Sequence, residues 1–570
     1  MSPRDERRRS SWRTPPLTRA DPDFDAAPRA RRRILCVFPR YAPSFATFEY
    51  ARPLAPGVTG FMPPQGLLLV AAALPPEWEV RFFDENVEAA SPADFDWADA
   101  VFASGMHIQK RELHDICARA HAAGKPAALG GPSVSAAPEL YPDFDYLHVG
   151  ELGDATDALI GRLARDVARP AAQVAFTTVA RRPMSEFPVP AYRLAAMRSY
   201  FLSNVQFSSG CPYMCEFCDI PGLYGRVPRL KSPGQLLAEL DALLAEGVIG
   251  TVYFVDDNLV GDRKALLALL PHLIDWQRRN GYAVSFACEA TLNIARSPDI
   301  LKLMREAGFD TIFCGLETPE PEALKAIQKS HNMAVPILDA VAAINAHGME
   351  VVCGVIMGLD TDRPDTGERI LAFIEAAGVP FATMNLLQAL PKTPLWERLA
   401  REGRIDEDPA RESNVVFKAP YDETLAMWRD AMARAYAPEA LYARFERQTR
   451  ATRPNRLPRP WSRQRLSPRA VGFGLVVLAR LLWRVGLRGD YRRVFWRFAL
   501  RRLRERRIEP IVSTGLIAHH LILFARDAAS GRGAASHYST KRRDAPAAEA
   551  CVAPATEVGK SVFARNATLS

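Results

Sequence analysis

Cys211-Pro-Tyr-Met-Cys215-Glu-Phe-Cys218 places three thiols within eight residues, directly after a short β-type run. Nine cysteines in a chain expected to stay in the cytosol should be reduced, so this cluster reads as a metal site rather than a disulfide. A structural zinc site takes four protein ligands, and no fourth cysteine or paired histidine lies close in sequence. Thiolates also hold iron–sulfur clusters, and three of them on a [4Fe–4S] cluster leave one iron open to a substrate or cosubstrate. Acids recur at the ends of later β-type runs: Asp256 and Asp257 in Tyr253-Phe-Val-Asp-Asp-Asn258, Glu289 in Ala287-Cys-Glu-Ala290, and Glu317 in Cys314-Gly-Leu-Glu-Thr318. Any one of them alone is more often a solvated or capping residue. Their recurrence at strand ends is what favours a site.

The elements that must position these groups follow from periodicity. Residues 200–399 read as six strand–helix units, with strands near 205–207, 251–255, 284–287, 311–315, 350–355 and 383–387. That pattern predicts a partial (β/α)6 barrel with its chemistry at the carboxyl ends of the strands. Residues 33–168 also alternate strands and helices and predict a doubly wound parallel sheet, giving an α/β fold class overall. In that block Gly130, Gly131 and Ser133 follow the fourth strand, while Gly150 and Glu151 follow the fifth, at the ends where such sheets bind ligands. No G-x-G-x-x-G follows the first strand, which argues against a dinucleotide. Residues 169–199 read as a linker, 400–526 as a mostly helical basic domain, and 1–32 and 527–570 as disordered tails.

The 570 residues, 48% of them hydrophobic, exclude a disordered chain or a disulfide-stapled miniprotein. The net charge of +8 is unevenly spread. Between Leu441 and Pro510 stand 20 arginines, no lysine and 4 acids, whereas residues 34–440 carry −16. A generic nucleic-acid binder would carry its positive charge on the folded body, so the basic region more naturally faces something anionic of its own, a membrane surface or RNA. Arg480, Arg484, Arg488 and Arg492 recur every four residues among leucines and Trp483, the pattern of a helix lying in a lipid interface or of a core helix with one solvated charged face. The apolar stretch 516–524 adds to the lipid reading. The longest uninterrupted apolar run there, Ala470–Ala479, is too short for a spanning helix.

C-x3-C-x-aromatic-C at the end of a first barrel strand resembles the radical S-adenosylmethionine (SAM) enzymes. The resemblance implies that the open iron is chelated by SAM, whose reductive cleavage gives a 5′-deoxyadenosyl radical. It places Phe217 against the adenine, Asp256 and Asp257 at the SAM amino group, and Glu317, with Glu289 as a weaker candidate, at the ribose. A doubly wound domain ahead of the barrel resembles the cobalamin-binding subgroup, with Gly130-Gly131-Pro132-Ser133 as its nucleotide-tail loop. The block holds no Asp-x-His-x-x-Gly, so a lower axial histidine is not expected; His107 is the one nearby candidate. Phe38-Pro-Arg-Tyr41, Phe61-Met-Pro-Pro-Gln-Gly66, the run 219–225 and the run 385–394 look like the hopanoid C-2 methylases, over roughly residues 34–430. That likeness implies methylation of an unactivated sp³ carbon of a hopanoid by way of methylcobalamin, with an electron donor such as a flavodoxin or ferredoxin. It implies a cytoplasmic enzyme, peripheral at the inner membrane, with no nucleic acid as partner. The rival readings are a cobalamin-dependent radical SAM enzyme acting on another lipid or natural product, and a zinc-containing RNA-binding protein.

Overall fold

The computed structural model describes residues 31–248, 250–406, 408, 410–458 and 467–532. The readings of residues 1–30 and 533–570 as tails lie outside the described residues.

Six parallel strands make the first sheet: β1 (Arg33–Phe38), β2 (Glu79–Asp84), β3 (Ala100–Ser104), β4 (Ala127–Gly130), β5 (Tyr146–Val149) and β6 (Val174–Thr177). Their order is β2-β1-β3-β4-β5-β6. Alternate residues of one strand point to opposite faces. Leu35 and Val37 of β1 accordingly pack with Leu113 and Ile116 of helix α1 (Lys110–Ala122). Ile34 and Cys36 pack on the other face with Leu159 and Leu163 of α2 (Asp154–Arg165). Both faces are covered, which is why β1 is buried at every position after Arg33. The presumed linker is corrected here. Residues 174–177 are the sixth strand of this sheet, and Tyr192 donates to the Asn204 carbonyl at 2.8 Å, so the segment is built into both domains.

The second sheet holds the six predicted barrel strands in sequence order: β7 (Leu202–Val205), β8 (Thr251–Phe254), β9 (Ser285–Glu289), β10 (Phe309–Glu317), β11 (Glu350–Met357) and β12 (Ala382–Leu386), all parallel. Helices between successive strands cover its outside, as the handedness of parallel crossovers requires. The C-terminal helices close the amino ends. Gln448 of α3 (Pro438–Thr452) donates to the Val351 carbonyl at 2.8 Å, and the Tyr436 hydroxyl accepts from the Ala382 amide at 3.2 Å. Arg456 reaches Glu350 at 2.6 Å. All three contacts fall near strand starts, so the carboxyl ends stay clear for chemistry.

Three further expectations about this region change. The apolar run beginning at Ala470 continues as one helix through Leu487, α4 (Pro468–Leu481) followed by a π-helical turn at Leu482–Leu487, long and apolar enough to cross a membrane by length and composition. The arginine stripe does not stay on it, because Arg492 opens a separate helix, α5 (Arg492–Arg504). The stretch 516–524 lies in α6 (Glu509–Ala529), where Leu521, Ile522 and Phe524 are buried. Apolarity alone does not separate a lipid-facing helix from a core helix.

Candidate active site at the facing ends of two sheets

The cysteine loop follows β7 and is held from three sides. Gly210 precedes it at φ +101°, and a Cβ there would lie 3.0 Å from the Gly225 carbonyl, so glycine is needed at this position. Glu216, buried inside the loop, accepts from Arg398 at 2.6 and 3.1 Å, and its carbonyl accepts from the Leu395 amide at 2.9 Å. Tyr213 stacks on His331 with centroids 3.7 Å apart and accepts from the Asn293 amide at 2.6 Å. Cys211, Cys215 and Cys218 are all partly exposed and free, and burial raises each thiol above its ordinary value. No group of three or more His, Cys, Asp or Glu among the described residues is arranged to hold a single metal ion. Three thiols on one braced loop fit an iron–sulfur cluster with one open iron better than a structural zinc site, which takes four protein ligands.

The strand ends around the loop are acidic, and their carboxyls divide the work. Asp256 is fully buried; it accepts from the Phe207 amide at 3.0 Å and from both the amide and the hydroxyl of Ser208. It thereby fixes the chain leaving β7. Asp257 accepts from the Gly210 amide at 2.6 Å, just ahead of Cys211. Glu289 is reached by solvent although protein surrounds it, as a side chain lining a cleft must be, and the Tyr253 hydroxyl lies 3.5 Å from its Oε1. Burial pushes Asp257 and Glu289 up to about 7, helped by repulsion from Asp256 on Asp257 and from Asp257 on Glu289; burial takes Asp256 to about 6. A cleft of carboxyls held short of full ionisation is prepared for a cationic ligand, which would restore their charge.

Glu317 is not free. It sits at φ +65° where the β10–β11 register shifts, and Lys329 donates to its Oε1 at 2.5 Å. The Lys329 ammonium also lies 5.5 Å from the centre of the Phe217 ring. Burial works to lower the lysine, but Glu317 and then Cys215 outweigh it and the net shift is upward. A Cβ at Gly315 would lie 2.7 Å from that ammonium, so glycine leaves the space for the pair. Sequence reading missed Lys329, Arg398 and Asn293, because none carries a local motif.

In the first domain, Gly131 takes φ +98° and Gly150 φ +108°, and the Gly150 amide donates to Ser135 Oγ at 2.9 Å. Gly130 has ordinary φ and open space where a Cβ would be. These bare backbone turns at the ends of β4 and β5 fit the close approach of a large ligand such as cobalamin. Ser133 is buried and its hydroxyl lies 2.9 Å from His107 Nδ1 and against Tyr141. It orients His107, whose pKa burial lowers to about 4, so the imidazole is neutral. Glu151 is engaged by residues of the barrel side. It accepts from Arg229 at 2.7 and 2.8 Å and from Ser209 at 3.2 Å, and pairs with Arg181 at 3.2 Å. Lys392, after β12, donates to the Ser135 carbonyl. These ties join loops at the carboxyl ends of both sheets, which therefore meet at one interface between the domains.

Residues 205–374 match the profile of the radical SAM superfamily, and residues 393–533 match a domain of unknown function (DUF4070). The chain is 59% identical to the hopanoid C-2 methylase of Rhodopseudomonas palustris, over 90% of this chain and 97% of that protein. It is 35% identical to an uncharacterized methyltransferase of Synechocystis, over 83% and 88%. Its fold resembles OxsB, a cobalamin-dependent S-adenosylmethionine radical enzyme solved with aqua-cobalamin and S-adenosylmethionine, with a TM-score of 0.55 at 14% identity over 88% of this chain and 84% of that one.

Proposed function

This chain belongs to the hopanoid C-2 methylase family of the radical SAM superfamily, and from that premise we propose that it methylates the unactivated sp³ carbon C-2 of ring A of a hopanoid. When bound, a [4Fe–4S] cluster, SAM and methylcobalamin supply a primary carbon radical and a transferable methyl group. In this reading Cys211, Cys215 and Cys218 hold the cluster. Asp257 and Glu289 offer carboxylates to the cationic end of SAM, Phe217 offers a ring face, and the Glu317–Lys329 pair fixes the wall beside it. Asp256 is a positioning residue that holds the loop entry through Phe207 and Ser208. Gly130, Gly131 and Gly150 would let cobalamin approach the backbone, Ser133 holds the His107 ring beside this turn, and Glu151 ties the domains together. No carboxyl in the cleft could remove a proton from a saturated ring carbon, so the residues' task is to orient groups and exclude water.

The meeting of the two carboxyl ends carries this reading, since it would bring the cluster side and the cobalamin side within reach of one substrate. A low-potential donor such as a flavodoxin or ferredoxin would supply the electrons. The enzyme would work in the cytoplasm, peripheral at the inner membrane. Mass spectrometry of total lipids from a hopanoid-producing host, with and without this gene, tests the reading. A hopanoid one CH2 heavier, with the increment in the A/B-ring fragment, is expected. An unchanged profile from a host making the iron- and cobalamin-loaded protein would overturn the substrate.

A further inference from the structure

Of the sixteen large hydrophobic residues exposed among the described residues, nine fall between Val471 and Ile508. One face of α4 and its π-helical extension is anchored. Val477, Leu481 and Val485, four residues apart, are buried; Val477 packs with Ala55 and Val58, and a Cβ on Gly515 of α6 would lie 2.6 Å from Leu481. The opposite face is bare, with Leu475 61%, Leu487 58% and Trp483 51% exposed. Water leaves such a face uncovered only at a cost, and a contiguous one marks an interaction surface.

The surrounding charge says what covers it. Residues 471–508 hold eleven arginines and two acids. Both acids are already engaged, Asp490 with Arg526 at 2.8 Å and Glu505 with Arg453 and Arg502. Arg484, Arg493 and Arg497 make no ion pair among the described residues. An open hollow of about 580 Å³ beside the helix joins Arg492, Arg493 and Arg497 to Leu487, Trp496 and Leu500. Guanidinium groups next to an apolar floor suit a phosphodiester headgroup carrying hydrocarbon chains.

We propose that the exposed face of α4, its π-helical turn and α5 is a docking surface for an anionic lipid bilayer, on which the helix lies in the interface plane. The helix does not span, because Arg480 falls near the middle of its apolar stretch and Val477, Leu481 and Val485 are packed against protein. A second copy of the chain is a poor occupant, since a two-fold contact would set these arginines against their own copies. RNA would use the arginines and leave the leucines idle. The inference deepens the lipid-methylase reading, and rests on it only for its purpose: docking brings the site to a bilayer-embedded substrate.

The test is cosedimentation of the cluster-loaded full chain with phosphatidylcholine–phosphatidylglycerol vesicles and with phosphatidylcholine vesicles. Binding to the anionic vesicles should be about tenfold or more tighter. Paired Leu475→Ser and Leu487→Ser, and separately paired Arg493→Glu and Arg497→Glu, should each reduce it about tenfold, with iron content and melting temperature unchanged. Both pairs should still methylate a detergent-dispersed hopanoid while losing turnover on a vesicle-embedded one. Absent vesicle binding, wild-type binding by the leucine pair, RNA binding in place of lipid, or a dimer dispersed by the leucine pair would each overturn the docking surface. A chain that binds vesicles but methylates no hopanoid in either form upholds the surface and overturns the proposed function instead.

Discussion

Lys329 donates to Glu317 at 2.5 Å across the positive-φ end of β10, with both side chains at 10% exposure or less. Removing one partner strands the other as a buried charge. Lys329→Met or Glu317→Leu alone should therefore cost about 3–5 kcal/mol, whereas the double replacement should recover most of that loss. Urea unfolding of the three variants gives the coupling. Single losses that simply add in the double variant would mean the pair is not coupled. Activity should be lost in all three, because the lysine also faces Phe217 and Cys215.

Each of Cys211→Ser, Cys215→Ser and Cys218→Ser should abolish turnover and drop iron and sulfide content. All three side chains are partly exposed, so apo-protein stability should move by only about 0.5 kcal/mol. Full iron content in any one variant would remove that residue from the cluster.

Gly130 and Gly131 are neighbours with opposite requirements. Gly131→Ala must hold alanine at φ +98° with its Cβ 2.4 Å from Ser104 Oγ, so it should destabilise the first domain by about 1–2 kcal/mol or more. Gly130→Ala meets nothing closer than 3.8 Å and should leave thermal stability unchanged within about 1 kcal/mol. If cobalamin approaches the backbone here, Gly130→Ala will still copurify with less of it. Normal cobalamin content in a folded Gly130→Ala chain would move the ligand away from this turn.

His520 of α6 is completely buried, donates to the Phe45 carbonyl at 3.0 Å, and has its pKa lowered to about 3, chiefly by burial. A histidine depressed in the folded state contributes stability that is present above its unfolded pKa of about 6.5 and lost as pH falls toward about 3. The free energy of unfolding should therefore fall on acidification below about pH 6.5, by at most about 1.4 kcal/mol per pH unit from this group. His520→Gln keeps an N–H donor without the proton acceptor and should flatten that limb. An identical slope in the variant would assign the acid loss to other groups.

What could be read from the chain was what is local. The spacing of Cys211, Cys215 and Cys218 spans eight residues, and six barrel strands each declare themselves in a short buried run. Partnerships across the fold could not be read. Arg398 braces the cysteine loop from 182 residues away, and Lys392 reaches Ser135 across 257. Glu151 follows the carboxyl end of β5, where such sheets bind ligands, and only the assembled domains show that three polar neighbours occupy it. The stretch 516–524 was misread toward lipid because composition does not record which side of a helix already has a neighbour.

The bond from His520 to Phe45 joins positions 475 residues apart, and Tyr50 likewise meets Asp527. Phe45 and Phe48 sit under the open seam of the barrel, against Phe381 just before β12, and Phe48 also lies against Phe201 just before β7. The segment that seals this seam thus precedes by 475 residues the helix that pins it. Sealing the barrel therefore depends on a contact of very long sequence separation, the kind whose loop-closure cost slows folding, and the seam stays open until α6 is in place.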